Sequence, residues 1–413
     1  MKVRIISSTK PNQVTPKNEF DKFSGHCAGI CYMAHDFDTI LNEDESKTER
    51  RVLQTAQGGH HSVFDHNYVT LYLEGIPKFL AMLLNNEKMY TTSEKSARYT
   101  KMSNISDLEK EMYDKWLERF KTYIGEKYPE LPEKKREKLA MENARYLLSV
   151  LTPTCMAYTV SYRQLNYLYL WLLKQVKLDF NEFITEMTSN NYYINNKICN
   201  DEQNEKWRQA ILDLIEGIEY TKYLNPNILD FKNRGFSLIQ PQEKICCSKN
   251  TFTDVYSTVY MGSFAQLAQA QRHRTINYDC TIMPKQQFYV PPILEGRQIL
   301  LWLQDCEMLY THGYIPQCTQ ILIRERGTYE DFLLKCKERI CSAAQLEIAQ
   351  QTQKTLEEYI EAIAGQQKEN SINQYIYNDL SQYATYKARC SYPDYECPTP
   401  CGWLAGINLE RQI

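Results

Sequence analysis

Gly59-His-His-Ser-Val-Phe-Asp-His66 runs into Tyr68-Val-Thr-Leu-Tyr-Leu73, and this stretch sets the reading of the chain. Val69, Leu71 and Leu73 alternate with Tyr68, Thr70 and Tyr72, the period-two pattern of a half-buried strand. Upstream, residues 48–57 read as a short helix closed by Gly58-Gly59; downstream, a helix is expected from about Pro77 to Asn85. The same order restarts at Thr251-Phe-Thr-Asp-Val-Tyr-Ser-Thr-Val-Tyr260, a second strand, with residues 263–271 as the helix behind it. Neither strand sits in the regular alternation that builds a doubly wound parallel sheet. The class expected is therefore α+β: small sheets with long helices, in two diverged copies of one unit related by a pseudo-two-fold axis.

The rest of the chain is dominated by helix signals. Residues 1–8 read as a first strand. Ser106 and Glu109 have capping-box spacing, and Met112, Trp116, Phe120 and Ile124 place one apolar stripe on the helix that follows, which Pro129 and Pro132 close. Residues 134–149 and 160–176 are expected as helices broken by Thr152-Pro-Thr154, with further helices over 202–223 and from Thr328 to about Ala364. Turn residues crowd 225–235, which puts a boundary near residue 230. The expected organisation is a first copy over 1–230, a second over 231–385 and a Cys/Pro-rich tail over 386–413.

Composition limits the function classes. The 413 residues carry 48 Lys+Arg against 51 Asp+Glu, a net charge of −3, which gives no general footprint for a nucleic-acid backbone. A hydrophobic share of 43% argues against disorder, and no apolar run approaches the roughly 18 residues of a membrane span. With no export signal at the N-terminus, a cytoplasmic protein is expected, and its 14 cysteines are read as reduced thiols.

Four clusters could carry chemistry. Arg272-His273-Arg274, with Gln269 before it, could clamp phosphate through guanidinium forks, although such a triplet is more often a solvated helix end. Ser96 and Arg98, two apart on an extended segment after Glu94, could face one anion together; a loop cap is the plainer account. His60, His61, Asp65 and His66 lack zinc-ligand spacing, which favours packing and hydrogen bonding over a metal. Cys390, Cys397 and Cys401 could hold zinc with a fourth ligand such as Cys246 or Cys247, yet a Pro-rich tail of reduced thiols accounts for them as well.

Taken in order, His60, Ser62, Asp65-His66, Leu73-Glu74-Gly75-Ile76, Ser96-x-Arg98-Tyr99 and Ala144-Arg145 resemble the N-terminal organisation of the flavin-dependent thymidylate synthases. That family carries Arg-His-Arg and Ser-x-Arg in one stretch, whereas here the two are split. Asn86-Glu87-Lys88 stand where Arg-His-Arg is expected before Ser96, and Ile282 and Pro284 stand where Ser and Arg are expected after Arg272. The family's pair of arginines 27 residues apart falls on Arg145 and Leu172 in the first copy and on His312 and Arg339 in the second, with Gln345 six residues after Arg339. Gln269 has Leu83 as its first-copy counterpart. The first copy thus keeps Ser96, Arg98 and Arg145, and the second keeps Gln269, Arg272 and Arg339. Thr91, Ser93 and Ser161 depart from the family pattern.

The resemblance implies conversion of dUMP to dTMP, with methylene from 5,10-methylenetetrahydrofolate and reducing equivalents from NADPH through FAD, without a catalytic cysteine. It implies Gln269, Arg272, Ser96, Arg98, Arg145 and Arg339 around dUMP, with Arg339 and Arg272 closest to the chemistry, and Arg272, His273, Arg274, Glu94, His60 and Arg163 around FAD. The family homotetramer builds its site from different subunits, so a homodimer of this chain is expected to mimic it. The alternatives are a non-catalytic flavin- or nucleotide-binding paralogue and a flavin-dependent uracil methyltransferase acting on another substrate.

Overall fold

In the computed structural model, the described residues are 1–9, 17–32, 36–102, 104–219, 236–366, 371–386, 388–393, 395–397 and 411–413. Strands β1 (Lys2–Ser8), β2 (Tyr68–Pro77), β3 (Tyr90–Glu94) and β4 (Pro153–Ser161) form one antiparallel sheet in the order β1-β2-β4-β3. Strands β5 (Thr251–Phe252), β6 (Val255–Ser263), β7 (Asn277–Ile282) and β8 (Gln320–Thr328) form a second in the order β5-β6-β8-β7, also antiparallel. The two sheets repeat one strand order, and with long helices around them the chain is α+β, as expected.

The alternation at Tyr68–Leu73 is borne out: Val69, Leu71 and Leu73 are fully buried, and Leu71 pairs with Tyr158 of β4. β2 runs on past Leu73 through a register shift between Glu74 and Ile76, where Gly75 takes a φ of +81° that side chains disfavour. β4 corrects the sequence reading, in which Thr152-Pro-Thr154 only broke two helices. Thr154, Met156, Tyr158 and Val160 alternate inward along it, and Pro153 is tolerated as the first strand residue. The helix follows only at Tyr162–Gln175, capped by the Ser161 hydroxyl on the Gln164 N–H. β7 and β8 were likewise not expected. The helix expected over 328–364 is two, Tyr329–Arg339 and Leu346–Ala364, and the one expected over 134–149 ends at Ala144, followed by a tight turn over Arg145–Leu147. The boundary near residue 230 lies outside the described residues.

Two compact units divide the chain. The first comprises residues 1–95, 153–183 and 201–237, and holds the first sheet. Its aromatic centre is Phe79, Phe180, Phe183 and Trp207, with Phe79 edge-on to the other three rings. The second comprises residues 96–152, 184–200 and 238–413, and holds the second sheet. The capping box at Ser106 is present, and its Glu109 is buried because it also accepts bonds from the Ser149 N–H and the Thr152 hydroxyl, both at 2.8 Å. The expected stripe on Asp107–Lys127 packs inward, with Trp116 edge-to-face on Trp302 at 4.9 Å. Among the described residues, no helix is long and apolar enough to cross a membrane.

Candidate functional site

The break between Tyr329–Arg339 and Leu346–Ala364 organises a cluster of guanidinium groups inside the second unit. Three consecutive residues there accept from three arginines. Ala343 accepts through its carbonyl from Arg98 Nη2 at 2.7 Å, Ala344 accepts through its carbonyl from Arg411 Nη2 at 2.7 Å, and the Gln345 amide oxygen accepts from Arg145 Nη2. The same Gln345 oxygen accepts from Gln269 Nε2, and the Gln269 amide oxygen lies 3.5 Å from Arg98 Nη1. Arg339 Nη2 donates to the Gln269 carbonyl at 3.4 Å. Residues 96–145, on the first half of the chain, thus meet residues 269–345, and Gln269 and Gln345 join Arg98, Arg145 and Arg339.

Carboxylates are fewer than cations here. Glu142 is buried and holds Arg98 Nε at 2.6 Å; Arg411 Nη2 is 3.9 Å from its other oxygen. Burial works against the Arg98 charge, but Glu142 and Tyr99 outweigh it and hold the guanidinium above its ordinary value. Arg145, Arg339 and Arg411 go the other way, pulled down first by burial. Glu347 is turned to Ser263 and Tyr146, whose hydroxyls both donate to it at 2.6 Å, and burial pushes its carboxyl up. Arg145 Nε, Gln345 Nε2 and Glu142 Oε1 are buried without a hydrogen-bond partner among the described residues. Unpaired buried polar groups of this kind are costly, and an anion bound among them would answer the excess of cations.

The Arg272-His273-Arg274 triplet does not act as one cationic clamp in this structure. Arg272 and Arg274 are exposed, while His273 is buried and accepts from Arg339 Nε at 2.7 Å. Burial, then Arg339 and Lys335, pushes the His273 imidazole down to about 2, so it is a neutral acceptor that orients Arg339. The sign of its effect on stability follows. The unfolded imidazole takes a proton near pH 6.5 and the folded one does not, so stability falls as pH drops below 6.5, by up to about 1.4 kcal/mol per pH unit. We expect His273→Gln to flatten that slope between pH 6.5 and 5.5 in urea titrations; a slope identical to wild type would place the ring in contact with water.

Ser96 accepts from the Arg98 N–H at 3.3 Å and so shapes the turn that presents that guanidinium. The replaced positions are engaged elsewhere. Leu172 is fully buried, Asn86 and Glu87 hold Ser237, and His312 is tied to the Met308 carbonyl at 2.7 Å.

In the first unit, His60 lines a cleft of about 420 Å³ with Lys47, Arg50 and Arg51. Arg51 is paired with Glu43, whose carboxyl it holds down to about 2. Arg163 is bound to Asp65 at 2.8 Å and to the Tyr167 hydroxyl at 3.2 Å. Glu94 is bound to Lys78 at 2.6 Å. His61 is buried between Tyr167 and the Ala56 carbonyl, the packing role its spacing suggests.

Cys390 is exposed and Cys397 half-buried, Cys401 lies outside the described residues, and no metal-holding group of three or more side chains occurs among the described residues.

Residues 14–188 match the model of the thymidylate synthase complementing protein family. That match covers less than half of the chain. Solved structures similar to it include a UMP/dUMP methylase, PolB, from Streptomyces cacaoi bound with 5-Br dUMP. It is 14% identical over 41% of this chain and 76% of its own, with a TM-score of 0.29. Thymidylate synthase X from Helicobacter pylori with FAD and dUMP is 16% identical over 53% of this chain and 96% of its own, also with a TM-score of 0.29. No curated protein matches. Glu142 and Arg411 are the members of the guanidinium cluster that the sequence did not flag. Glu142 lies on a helix rich in charged residues, and Arg411 lies in the Cys/Pro-rich tail, far from the arginine motifs, so neither carried a local signal.

Proposed function

We propose that the chain is a flavin-dependent thymidylate synthase that methylates dUMP to dTMP, using 5,10-methylenetetrahydrofolate and NADPH, with FAD as its cofactor. The observation that carries the reading is the joining of Arg98, Arg145 and Arg339 through Gln269 and Gln345, with more guanidinium groups than carboxylates and with Arg145 Nε and Gln345 Nε2 buried without a partner among the described residues. Guanidinium forks bind phosphate and carbonyl oxygens with charge-assisted bonds, which suits the phosphate and uracil oxygens of dUMP. Ser96 shapes the Arg98 turn, His273 orients Arg339, and exposed Arg272 is available to either ligand.

The first-unit cleft fits an anionic cofactor, because Lys47, Arg50 and Arg51 line it beside His60 against the single carboxylate of Glu43. When bound, FAD supplies the redox chemistry. His60, Arg163 and Glu94 are the first-unit residues proposed to hold it. The strand order repeated in both sheets supports two diverged copies of one unit, over 1–230 and 231–385, and a homodimer is the assembly proposed.

The test is whether the purified protein carries flavin absorbance and releases tritium from [5-³H]dUMP with NADPH and methylenetetrahydrofolate. Flavin or dUMP binding without tritium release would support the non-catalytic paralogue; release from another uracil substrate alone would support the broader methyltransferase. One dUMP per chain is expected by equilibrium titration, since the replaced positions Leu172 and Glu87 offer no guanidinium; two per chain would refute that count.

A further inference from the structure

We propose that Arg411 is a nucleotide-binding residue, the third guanidinium of a phosphate monoester site built on the Ala343-Ala344-Gln345 strap; this rests on the dUMP reading above. Residues 411–413 are anchored in the second unit by three independent contacts. Ile413 is buried in its core among residues that include Tyr128, Gln412 accepts through its side chain from Lys127, and the Gln412 N–H donates to the Tyr128 hydroxyl at 3.0 Å. These contacts hold Arg411 between two fixed acceptors, the Ala344 carbonyl at 2.7 Å and the Ile413 carbonyl at 2.5 Å.

Arg411 then stands beside Arg98. The two share one carboxylate, Glu142, with Arg98 on one oxygen at 2.6 Å and Arg411 3.9 Å from the other, an oxygen that has no hydrogen-bond partner among the described residues. Arg145 is next along the strap and donates to the Gln345 amide oxygen and the Ala265 carbonyl. Arg98, Arg145, Arg339 and Arg411 outnumber the carboxylates beside them, Glu142, Glu347 and Glu338, so the cluster keeps a net positive charge that suits a phosphate monoester and exceeds what a neutral nucleoside could use. A cluster of guanidinium forks converging on consecutive acceptors also suits the several oxygens of a phosphate better than a carboxylate.

The experiment compares wild type, Arg411→Gln and Arg411→Lys by calorimetric titration with dUMP and with deoxyuridine, and by thermal stabilisation with inorganic phosphate. We expect Arg411→Gln to weaken dUMP by about 10- to 100-fold, the effect of one charge-assisted hydrogen bond, and to leave deoxyuridine unchanged. Arg411→Lys, which keeps the charge, is expected to retain part of the phosphate stabilisation and serves if Arg411→Gln does not fold. Equal losses for dUMP and deoxyuridine, or no loss for dUMP, would overturn the proposal. If wild type binds no dUMP, the thymidylate reading fails, and phosphate decides the present one: stabilisation of wild type that Arg411→Gln abolishes supports it, and equal or absent stabilisation of both overturns it.

Discussion

Lys335→Met is expected to destabilise the second unit by about 3–5 kcal/mol, the penalty for leaving one partner of a buried ion pair alone. Lys335, on the helix Tyr329–Arg339, places Nζ 2.5 Å from Glu325 Oε2 of β8, and the two side chains are 1% and 0% exposed. Glu325 also accepts the hydroxyls of Tyr256 at 2.6 Å and Tyr260 at 2.7 Å, so its charge is fully engaged inside the unit. Burial, then Glu325, pushes both tyrosine hydroxyls well above their ordinary value, and they remain donors throughout the working pH range. Without Lys335 the carboxylate must ionise unpaired or take up a proton. Urea titration of the single variant and of Lys335→Met/Glu325→Gln separates pairing from packing. The double variant, in which a neutral amide can accept from one tyrosine hydroxyl and donate to the other, should recover most of the loss. A single-variant loss under about 1 kcal/mol would mean that the pair is reached by water.

Arg339→Ala is expected to weaken dUMP by about 10- to 100-fold, since a charge-assisted hydrogen bond is worth about 1.5–3 kcal/mol and each 1.4 kcal/mol is tenfold. Arg339 is half-set already: His273 takes its Nε and the Gln269 carbonyl one Nη2 bond, so its direction is fixed before any ligand arrives. Its removal also frees His273 from a neighbouring cation, and the imidazole should titrate at higher pH in the variant than in wild type, which proton resonances of the ring can follow. Lys88→Ala, at the position that replaces an arginine of the first-copy triplet, should leave dUMP binding near wild type. Equal losses in Arg339→Ala and Lys88→Ala would indicate a second working site and sink the one-site count; an unchanged Kd in Arg339→Ala would remove Arg339 from the nucleotide site.

Local pattern determined much of this protein. Alternation fixed β2 and most of β6, the Ser106 and Glu109 spacing fixed the start of Asp107–Lys127, and its apolar stripe fixed which face packs, because each of these depends on residues within a turn or two of one another. Arg98, Arg145, Gln269 and Arg339, which converge in the structure, were named together only by the resemblance to a known family. Tertiary structure alone decided the rest. Pro153 reads as a breaker until β2 and β3 flank β4, and Arg339 and Leu346 belong to separate helices because the strap between them gives its carbonyls and the Gln345 amide to distant arginines. His273 reads as a cation by type and is neutral by burial. Glu142 and Arg411 have no pattern around them at all, since a charge gains its role from what is desolvated beside it, and the partners that desolvate these two come from parts of the chain that sequence spacing does not relate.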